Sequence, residues 1–132
     1  MSKRPEAEAA AIDAWLKSLA PLPSPFLLHG RLSPAAERGQ RLFSSDRLAC
    51  AKCHPAPLYT DLKTHDVGSR GESDDRVTFD TPTLVEAWRT SPYLHDGRLL
   101  TLEDTVEFFN LIQELRLTPQ EKQDLVAFMR AF

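Results

Sequence analysis

The feature that most constrains this chain is a Cys-x-x-Cys-His pentapeptide at residues 50–54. Two thiols three residues apart, followed directly by a histidine, form the pattern to which haem c is attached. Each thiol can form a thioether with one haem vinyl group, and the adjacent imidazole is then held under the iron as its proximal ligand. The sequence therefore predicts one covalent haem, with Cys50 and Cys53 as attachment residues and His54 on the iron.

Two other chemistries use the same residue types. A redox-active Cys-x-x-Cys pair is expected beside a βαβ pattern, and the sequence shows no such pattern. A structural zinc site needs four ligands, so Cys50 and Cys53 would have to be joined by two scattered histidines. Because the pentapeptide contains both cysteines of the chain, we favour haem attachment.

Length, composition and charge are those of one ordinary globular domain. The 132 residues are 42% hydrophobic and 27% charged, which allows a modest core that a porphyrin would enlarge. The net charge of −3 gives no argument for binding to nucleic acid or to an anionic membrane surface. No apolar run approaches the roughly 18 residues that cross a bilayer.

The expected compartment lies outside the cytoplasm, because attachment of haem c is normally completed beyond the cytoplasmic membrane. We therefore expect a periplasmic or otherwise exported protein. Residues 1–6 nevertheless contain neither an apolar signal-peptide region nor a cleavage site. We interpret the chain as a piece of a larger exported protein, a hypothesis that fails if the natural reading frame begins at Met1.

Residues 1–32 are expected to form an N-terminal helix and a proline-rich connector, preceding a haem domain at 33–132. A helix from Glu6 to Leu19 carries an apolar stripe that must pack on this domain or on a neighbour, formed by Ile12, Trp15, Leu16 and Leu19. Prolines at 21, 23 and 25 predict an extended connector. The residues expected to pin that connector to the domain are Phe26, Leu27 and Leu28.

The rest of the chain is predicted to be all-α. Ser33 as N-cap and Pro34 predict a helix to about residue 45, and Gly39 within it indicates close approach of another backbone. A short helix is expected from Pro82 to about Arg89, and residues 60–80 are expected to be loop. Capping patterns begin two further helices, at Thr101 and Thr118. The side chains expected to be buried by these helices are Leu42, Phe43, Leu102, Val106, Phe109, Leu125, Phe128, Met129 and Phe132.

Sequence blocks follow one another in a distinctive order from residue 33 onward. They include Gly-Gln-Arg-Leu-Phe at 39–43, Cys-x-x-Cys-His-Pro at 50–55, Phe-Asp-Thr-Pro-Thr-Leu at 79–84, Ser-Pro-Tyr-Leu-His-Asp-Gly at 91–97 and Thr-Leu-Glu-Asp-Thr-Val-Glu-Phe-Phe-Asn at 101–110. In this order they resemble the C-terminal haem domain of the bacterial di-haem cytochrome c peroxidase and MauG family. The Pro-Tyr-x-His-Asp-Gly and Thr-Leu-Glu blocks make the resemblance specific to that family.

The resemblance implies a cytochrome c-like helical fold around one covalent haem. It implies that Gly39 lies where the first helix of the haem domain crosses the last. It also implies that the proline-rich connector is the seam between two haem domains. The expected partner is therefore a second haem domain or a redox partner protein.

Two departures from the family pattern limit which functional features of the family can be expected in this chain. The peroxidases contain two haem motifs, whereas this chain contains one. Family members place a methionine or tyrosine on the helix after Thr-Leu-Glu as the far-side iron ligand, and by register that position is Phe109, which cannot coordinate iron. The remaining candidates for the sixth ligand are His65, His95 and Met129, with His29 more remote. An iron with an open position is the other alternative.

The sixth position decides the function. Two strong axial ligands leave an electron carrier, whereas an open position would admit peroxide or dioxygen, with His95 or Asp96 as candidate acid or base groups. Because the chain has one complete haem motif in a peroxidase-like frame and no second motif, the sequence predicts an electron-transfer domain, with a peroxidase or oxidase centre as the alternative. Trp88 and Tyr93 are candidate electron-relay residues, although core packing is the more common use of each. Candidate partners of the haem propionates are Arg70, Arg76, Arg89 and Arg98.

Overall fold

The computed structural model describes residues 5–132 and is mostly helical. The expectation that residues 1–4 contain no export signal lies outside this range. None of the described helices is long and apolar enough to cross a membrane. The helices are α1 (Glu6–Ser18), α2 (Pro34–Phe43), α3 (Cys50–Cys53), α4 (Leu102–Ile112) and α5 (Pro119–Met129).

Two short strands correct the prediction of an all-α chain with loop throughout 60–80. Strand β1 (Thr64–His65) pairs antiparallel with β2 (Phe79–Asp80), in the register Thr64 to Asp80 and His65 to Phe79. Two-residue strands are too short to show the alternation that identifies a strand in sequence. The pair closes the excursion at 66–78 and so brings residues 79–83 back beside residues 58–63.

The predicted helix from Pro82 to Arg89 is also wrong. Only Ala87–Arg89 is helical, as one 3-10 turn, and Glu86 before it has a left-handed backbone with φ 61°. Residues 81–83 instead bond to the segment that follows the pentapeptide. Thr60 Oγ1 donates to the carbonyl of Thr81 at 2.7 Å, and Thr83 Oγ1 donates to the carbonyl of Leu58 at 2.6 Å.

The crossing of α2 and α5 organises the core. A Cβ atom on Gly39 would lie 1.9 Å from the carbonyl oxygen of Asp124 and 2.8 Å from Cβ of Phe128. The predicted backbone approach at Gly39 is therefore confirmed. Only glycine lets the two helices come this close.

A buried carboxylate strengthens the same crossing. Asp124 is 3% exposed and receives two bonds from Arg38, Nε to Oδ2 at 2.8 Å and a terminal guanidinium nitrogen to Oδ1 at 2.7 Å. Gln120 adds a third bond, from Nε2 to Oδ1 at 3.0 Å. These donors, with Arg38 the largest influence, lower the pKa of Asp124. The apolar stripe predicted for α5 from the sequence did not indicate this ion pair.

The capping predictions and most core predictions are confirmed. Thr101 and Thr118 each accept from the backbone N–H three residues on, within a complete capping box. Leu42 and Phe132 are partly buried rather than buried. The predicted residues that are fully buried are Phe43, Leu102, Val106, Leu125, Phe128 and Met129.

Helix α1 is confirmed, but none of the described side chains covers its apolar stripe. Every residue of α1 is exposed, including Trp15 at 61%. The connector after it is held by Ser24, whose hydroxyl donates to the carbonyl of Arg130, and by Phe26, whereas Leu28, also predicted to pin it, is 54% exposed. The Phe26 ring meets the ring of Trp88 edge-on at 6.3 Å, and the Arg130 guanidinium lies over it at 5.4 Å.

Candidate functional site

The pentapeptide forms a single helical turn. Helix α3 contains Cys50 and Cys53, and His54 ends it with φ −116° and ψ 62°. Ala49 precedes the turn in the left-handed region, with φ 55°. Residues three apart share one face of a helix, so the two thiols are presented together with the imidazole directly beyond them.

Both cysteines are free, partly buried thiols. Burial raises the pKa of Cys50 to about 11. Burial also raises the pKa of Cys53, and the neighbouring Asp61 carboxylate adds to that effect. Both thiols are therefore protonated at neutral pH. A catalytic redox pair needs a thiol with a lowered pKa, so this microenvironment argues against that alternative.

His54 is oriented by a backbone carbonyl. Its Nδ1 lies 2.8 Å from the carbonyl oxygen of Tyr59. Because a carbonyl only accepts, Nδ1 carries the hydrogen and donates it. Burial lowers the pKa of the imidazole, against smaller opposing effects from the carbonyls of Tyr59 and Pro82. The ring is therefore neutral at pH 7, and its lone pair lies on Nε2.

This donor set fits a c-type haem. Two neutral thiols on one helix face can form the two thioethers, and the adjacent histidine offers Nε2 to the iron. The other ring nitrogen donates to a carbonyl, which is the usual arrangement for a metal-bound histidine. The residues that would hold the group are thus Cys50, Cys53 and His54, as the sequence predicts.

His65 lies beside the pentapeptide. Its Nε2 is 2.8 Å from Oδ2 of Asp61, and this bond is the main reason that the pKa of Asp61 falls to about 2. Ligand atoms of Cys53, Asp61 and His65 all lie within 4.8 Å of one another. The sequence indicates this pair only by the short separation of Asp61 and His65, which are four residues apart.

His95 belongs to a different contact. Its Nε2 is 2.8 Å from Oδ2 of Asp74, and its ring stacks on Phe79 with centroids 3.6 Å apart and planes 11° apart. Asp74 also accepts from the backbone N–H of Gly71 at 2.6 Å. His95 therefore joins the 91–97 loop to the 66–78 excursion, and it does not share a carboxylate with His65.

The other candidate ligands lie elsewhere. Met129 is buried in the α5 core at 7% exposure. His29 is exposed at a turn closed by a bridge between Leu28 and Arg31, as expected for a surface histidine. Phe109, at the register of the family ligand, is half-buried on α4 and meets Phe108 edge-on at 5.4 Å.

Three of the four candidate propionate partners already bond within the chain. Arg89 pairs with Glu86 at 2.7 Å, and Arg98 pairs with Asp96 at 2.6 Å. Arg70 donates from Nε to the carbonyl of Asp74 at 3.2 Å. Asp96, a candidate acid or base, is thus engaged by Arg98.

The relay candidates both contact other parts of the chain. The hydroxyl of Tyr93 donates to the carbonyl of Ala87 at 2.7 Å. The ring of Trp88 packs on Phe26, as described above. The Tyr93 hydroxyl is thus paired, whereas the buried Nε1 of Trp88 has no hydrogen-bond partner among the described residues.

The chain resembles several curated proteins. It is 29% identical to the gamma subunit of hydrazine synthase from Kuenenia stuttgartiensis, a match that covers 92% of this chain and 48% of that protein. It is 29% identical to cytochrome-c peroxidase IdrP1 of Pseudomonas sp. (strain SCT), over 76% of this chain and 40% of the relative. It is 30% identical to methylamine utilization protein MauG of Methylorubrum extorquens, over 71% and 33%. No family model matches the chain.

The chain also superposes on solved structures of the same kinds of protein. A structure of Kuenenia stuttgartiensis hydrazine synthase pressurized with xenon superposes with a TM-score of 0.81 at 27% identity, covering 97% of this chain and 56% of the other. A MauG-like protein associated with microbial copper homeostasis superposes with a TM-score of 0.67 at 24% identity, over 78% and 48%. The second likeness is one of fold.

Fold and site together define a cytochrome c-like helical domain with a small two-stranded sheet. The chain belongs to the family of di-haem cytochrome c peroxidases and MauG. It spans less than half the length of the curated relatives named above, at 33–48%.

Proposed function

We propose that this chain is a c-type cytochrome domain that binds one haem covalently and transfers electrons. Cys50 and Cys53 carry the thioethers, and His54 is the proximal iron ligand. The observation that carries the proposal is the 2.8 Å bond from Nδ1 of His54 to the carbonyl of Tyr59. That bond fixes the hydrogen on Nδ1, so in the imidazole that burial keeps neutral the lone pair lies on Nε2, beside two protonated thiols.

We further propose that the domain is a module of a larger, exported di-haem-peroxidase-like protein that acts in the periplasm. Relatives named as cytochrome-c peroxidases and MauG support this proposal, since each is at least twice as long as the matched region. Residues 1–32 then form the seam to a preceding domain. The exposed apolar stripe of α1 would be buried at that seam against the second haem domain.

The test is to produce the chain together with a haem c maturation system. The intact protein should gain the mass of one haem, and its optical spectrum should cycle reversibly between ferric and ferrous forms. Cys50→Ser and Cys53→Ser should each lose one thioether, and the double variant should lose covalent haem. A Lys52→Ser variant is the matched control, because it changes one of the two residues between the thiols and leaves both thiols in place. A wild-type chain that matures without haem would contradict the proposal.

A peroxidase or oxidase centre with an open sixth position is the second candidate. Phe109 favours it, because this residue stands at the register of the family's far-side ligand and a phenyl ring cannot coordinate iron. An open position also requires that Nδ1 of His65 and of His95, the lone-pair nitrogens left when each Nε2 donates to its carboxylate, do not bind the iron. The ferrous protein should then bind carbon monoxide, and the ferric protein should react with peroxide. A low-spin spectrum that carbon monoxide leaves unchanged would eliminate this candidate.

A further inference from the structure

The backbone on both sides of Tyr59 is held by threonine hydroxyls. Before it, the carbonyl of Leu58 accepts from Thr83 Oγ1 at 2.6 Å. After it, Thr60 Oγ1 donates to the carbonyl of Thr81 at 2.7 Å. The residue whose carbonyl orients His54 is therefore clamped between two hydrogen bonds to one segment, residues 81–83.

The side chain of Tyr59 is held as well. Its ring centroid lies 4.0 Å from that of Phe132, with planes 32° apart, and 6.3 Å from those of Phe43 and Phe128. Phe43 and Phe128 are buried in the crossing of α2 and α5. The ring thus ties residue 59 to the core of the domain. Tyr59 needs this support because its backbone is left-handed, with φ 52°, a conformation that is unfavourable for a residue with a Cβ atom.

We propose that the threonine clamp and the aromatic cluster form a positioning frame for His54, acting through the Tyr59 carbonyl. The frame consists of Thr60, Thr83, Phe132 and the ring of Tyr59. These are positioning residues, because each acts on the imidazole only through another group. The inference rests on the proposed haem-binding function and deepens it.

The frame should set the electronic character of His54. A short Nδ1–H···O bond increases the basicity of Nε2, which makes the histidine a stronger ligand. A stronger donor favours the ferric state over the ferrous state. Loosening the Tyr59 carbonyl should therefore weaken the bond and make the reduction potential more positive.

The first test removes one hydroxyl of the clamp without changing the size of the side chain. Thr83→Val should shift the ferric–ferrous equilibrium toward the ferrous state by about tenfold, which is 59 mV for a one-electron couple. It should also speed exchange of the His54 Nδ1 hydrogen with solvent, measured by NMR on the haem-loaded protein, because that hydrogen is bonded less tightly. Thr83→Ser restores the hydroxyl and should recover both values. Thr105→Val is the control, because it removes a hydroxyl of α4 that donates to the carbonyl of the N-cap residue Thr101.

A second variant tests the aromatic half of the frame. Phe132→Ala removes the nearest ring and should shift the potential in the same direction, whereas Phe132→Tyr should not. If Thr83→Val fails to mature, Phe132→Ala carries the test alone. Haem-loaded variants with wild-type potential and wild-type exchange of the His54 Nδ1 hydrogen would overturn the inference and leave the proposed function intact. A wild-type chain without haem would instead overturn the proposed function.

Discussion

Gly39 and the carbonyl oxygen of Asp124 lie so close that a Cβ atom on the glycine would stand 1.9 Å from that oxygen. The atom in the way belongs to a helix backbone, so it cannot rotate aside as a side chain would. Relief would require α2 and α5 to separate. Separation would in turn disturb Phe43 and Phe128, the two buried rings that support Tyr59.

We expect Gly39→Ala to lower the free energy of unfolding by at least about 3 kcal/mol, at or beyond the upper end of overpacking costs. Chemical denaturation monitored by circular dichroism measures this change. Gln40→Ala, at the next and exposed position of α2, is the control and should change stability by less than about 0.5 kcal/mol. A Gly39→Ala variant as stable as the wild type would show that the helices can move apart freely.

Acid stability should depend on Asp124. The pKa of this carboxyl is lower in the folded chain than the ordinary value of 3.8, chiefly because Arg38 donates to it. Its contribution is therefore full above pH 3.8 and is lost as the pH falls through the folded value. We expect Asp124→Asn to be less stable than wild type at pH 7, with the difference shrinking as the pH falls below 3.8.

The comparison needs a carboxylate outside the core. Asp13 forms an exposed ion pair with Lys17 on α1, and such pairs contribute little. Asp13→Asn should therefore follow the wild-type curve of unfolding free energy against pH. A constant difference between Asp124→Asn and wild type at all pH values would contradict the linkage.

Ala49 offers a stabilising substitution next to the haem-attachment motif. Its φ of 55° is left-handed, which costs roughly 1–2 kcal/mol for alanine and little for glycine. Glycine also loses more entropy on folding, by roughly 0.5–1 kcal/mol. We expect Ala49→Gly to raise the free energy of unfolding by about 0.5 kcal/mol. Ala51→Gly, inside α3, should lower it, and equal effects of the two substitutions would refute the argument.

The exposed face of α1 predicts an unequal response to two aromatic substitutions. Trp15 is 61% exposed, so Trp15→Ser should change the stability of the chain by less than about 0.5 kcal/mol. Phe26 contacts Trp88 and Arg130, so Phe26→Ala should cost about 1 kcal/mol or more. Thermal unfolding of both variants checks the contrast. A large loss for Trp15→Ser would mean that α1 packs on the domain in solution.

Sequence reasoning succeeded where the deciding interaction is local or has a specific residue requirement. The caps at Thr101 and Thr118 depend on residues three positions apart, and Gly39 stands in a helix that has no other need of glycine. Sequence reasoning failed where the interaction is made by backbone groups, which carry no information about the residue type. The β1–β2 pair, two residues on each strand, and the carbonyl of Tyr59 have no side-chain signature, because every residue carries the same backbone groups.

The burial of Asp124 could not be predicted for a related reason. A charged residue on an amphipathic helix is normally solvated, and only the partner on α2, distant in sequence, makes its burial favourable. The sixth iron position is a similar case. Both His65 and His95 were candidates for the sixth ligand in the sequence, whereas the structure gives them different carboxylate partners, Asp61 and Asp74.

The hydrogen bond from His54 to Tyr59 spans only five residues, whereas the two hydrogen bonds of the clamp span 21 and 25 residues. Closing the short loop costs little chain entropy, and a growing polypeptide completes its earlier segments first. The two thiols, the imidazole and the accepting carbonyl therefore leave the ribosome as one short peptide. Under the proposed function, the groups that would hold the haem all lie within residues 50–59, whereas the clamp on the Tyr59 carbonyl forms only once residues 81–83 are present.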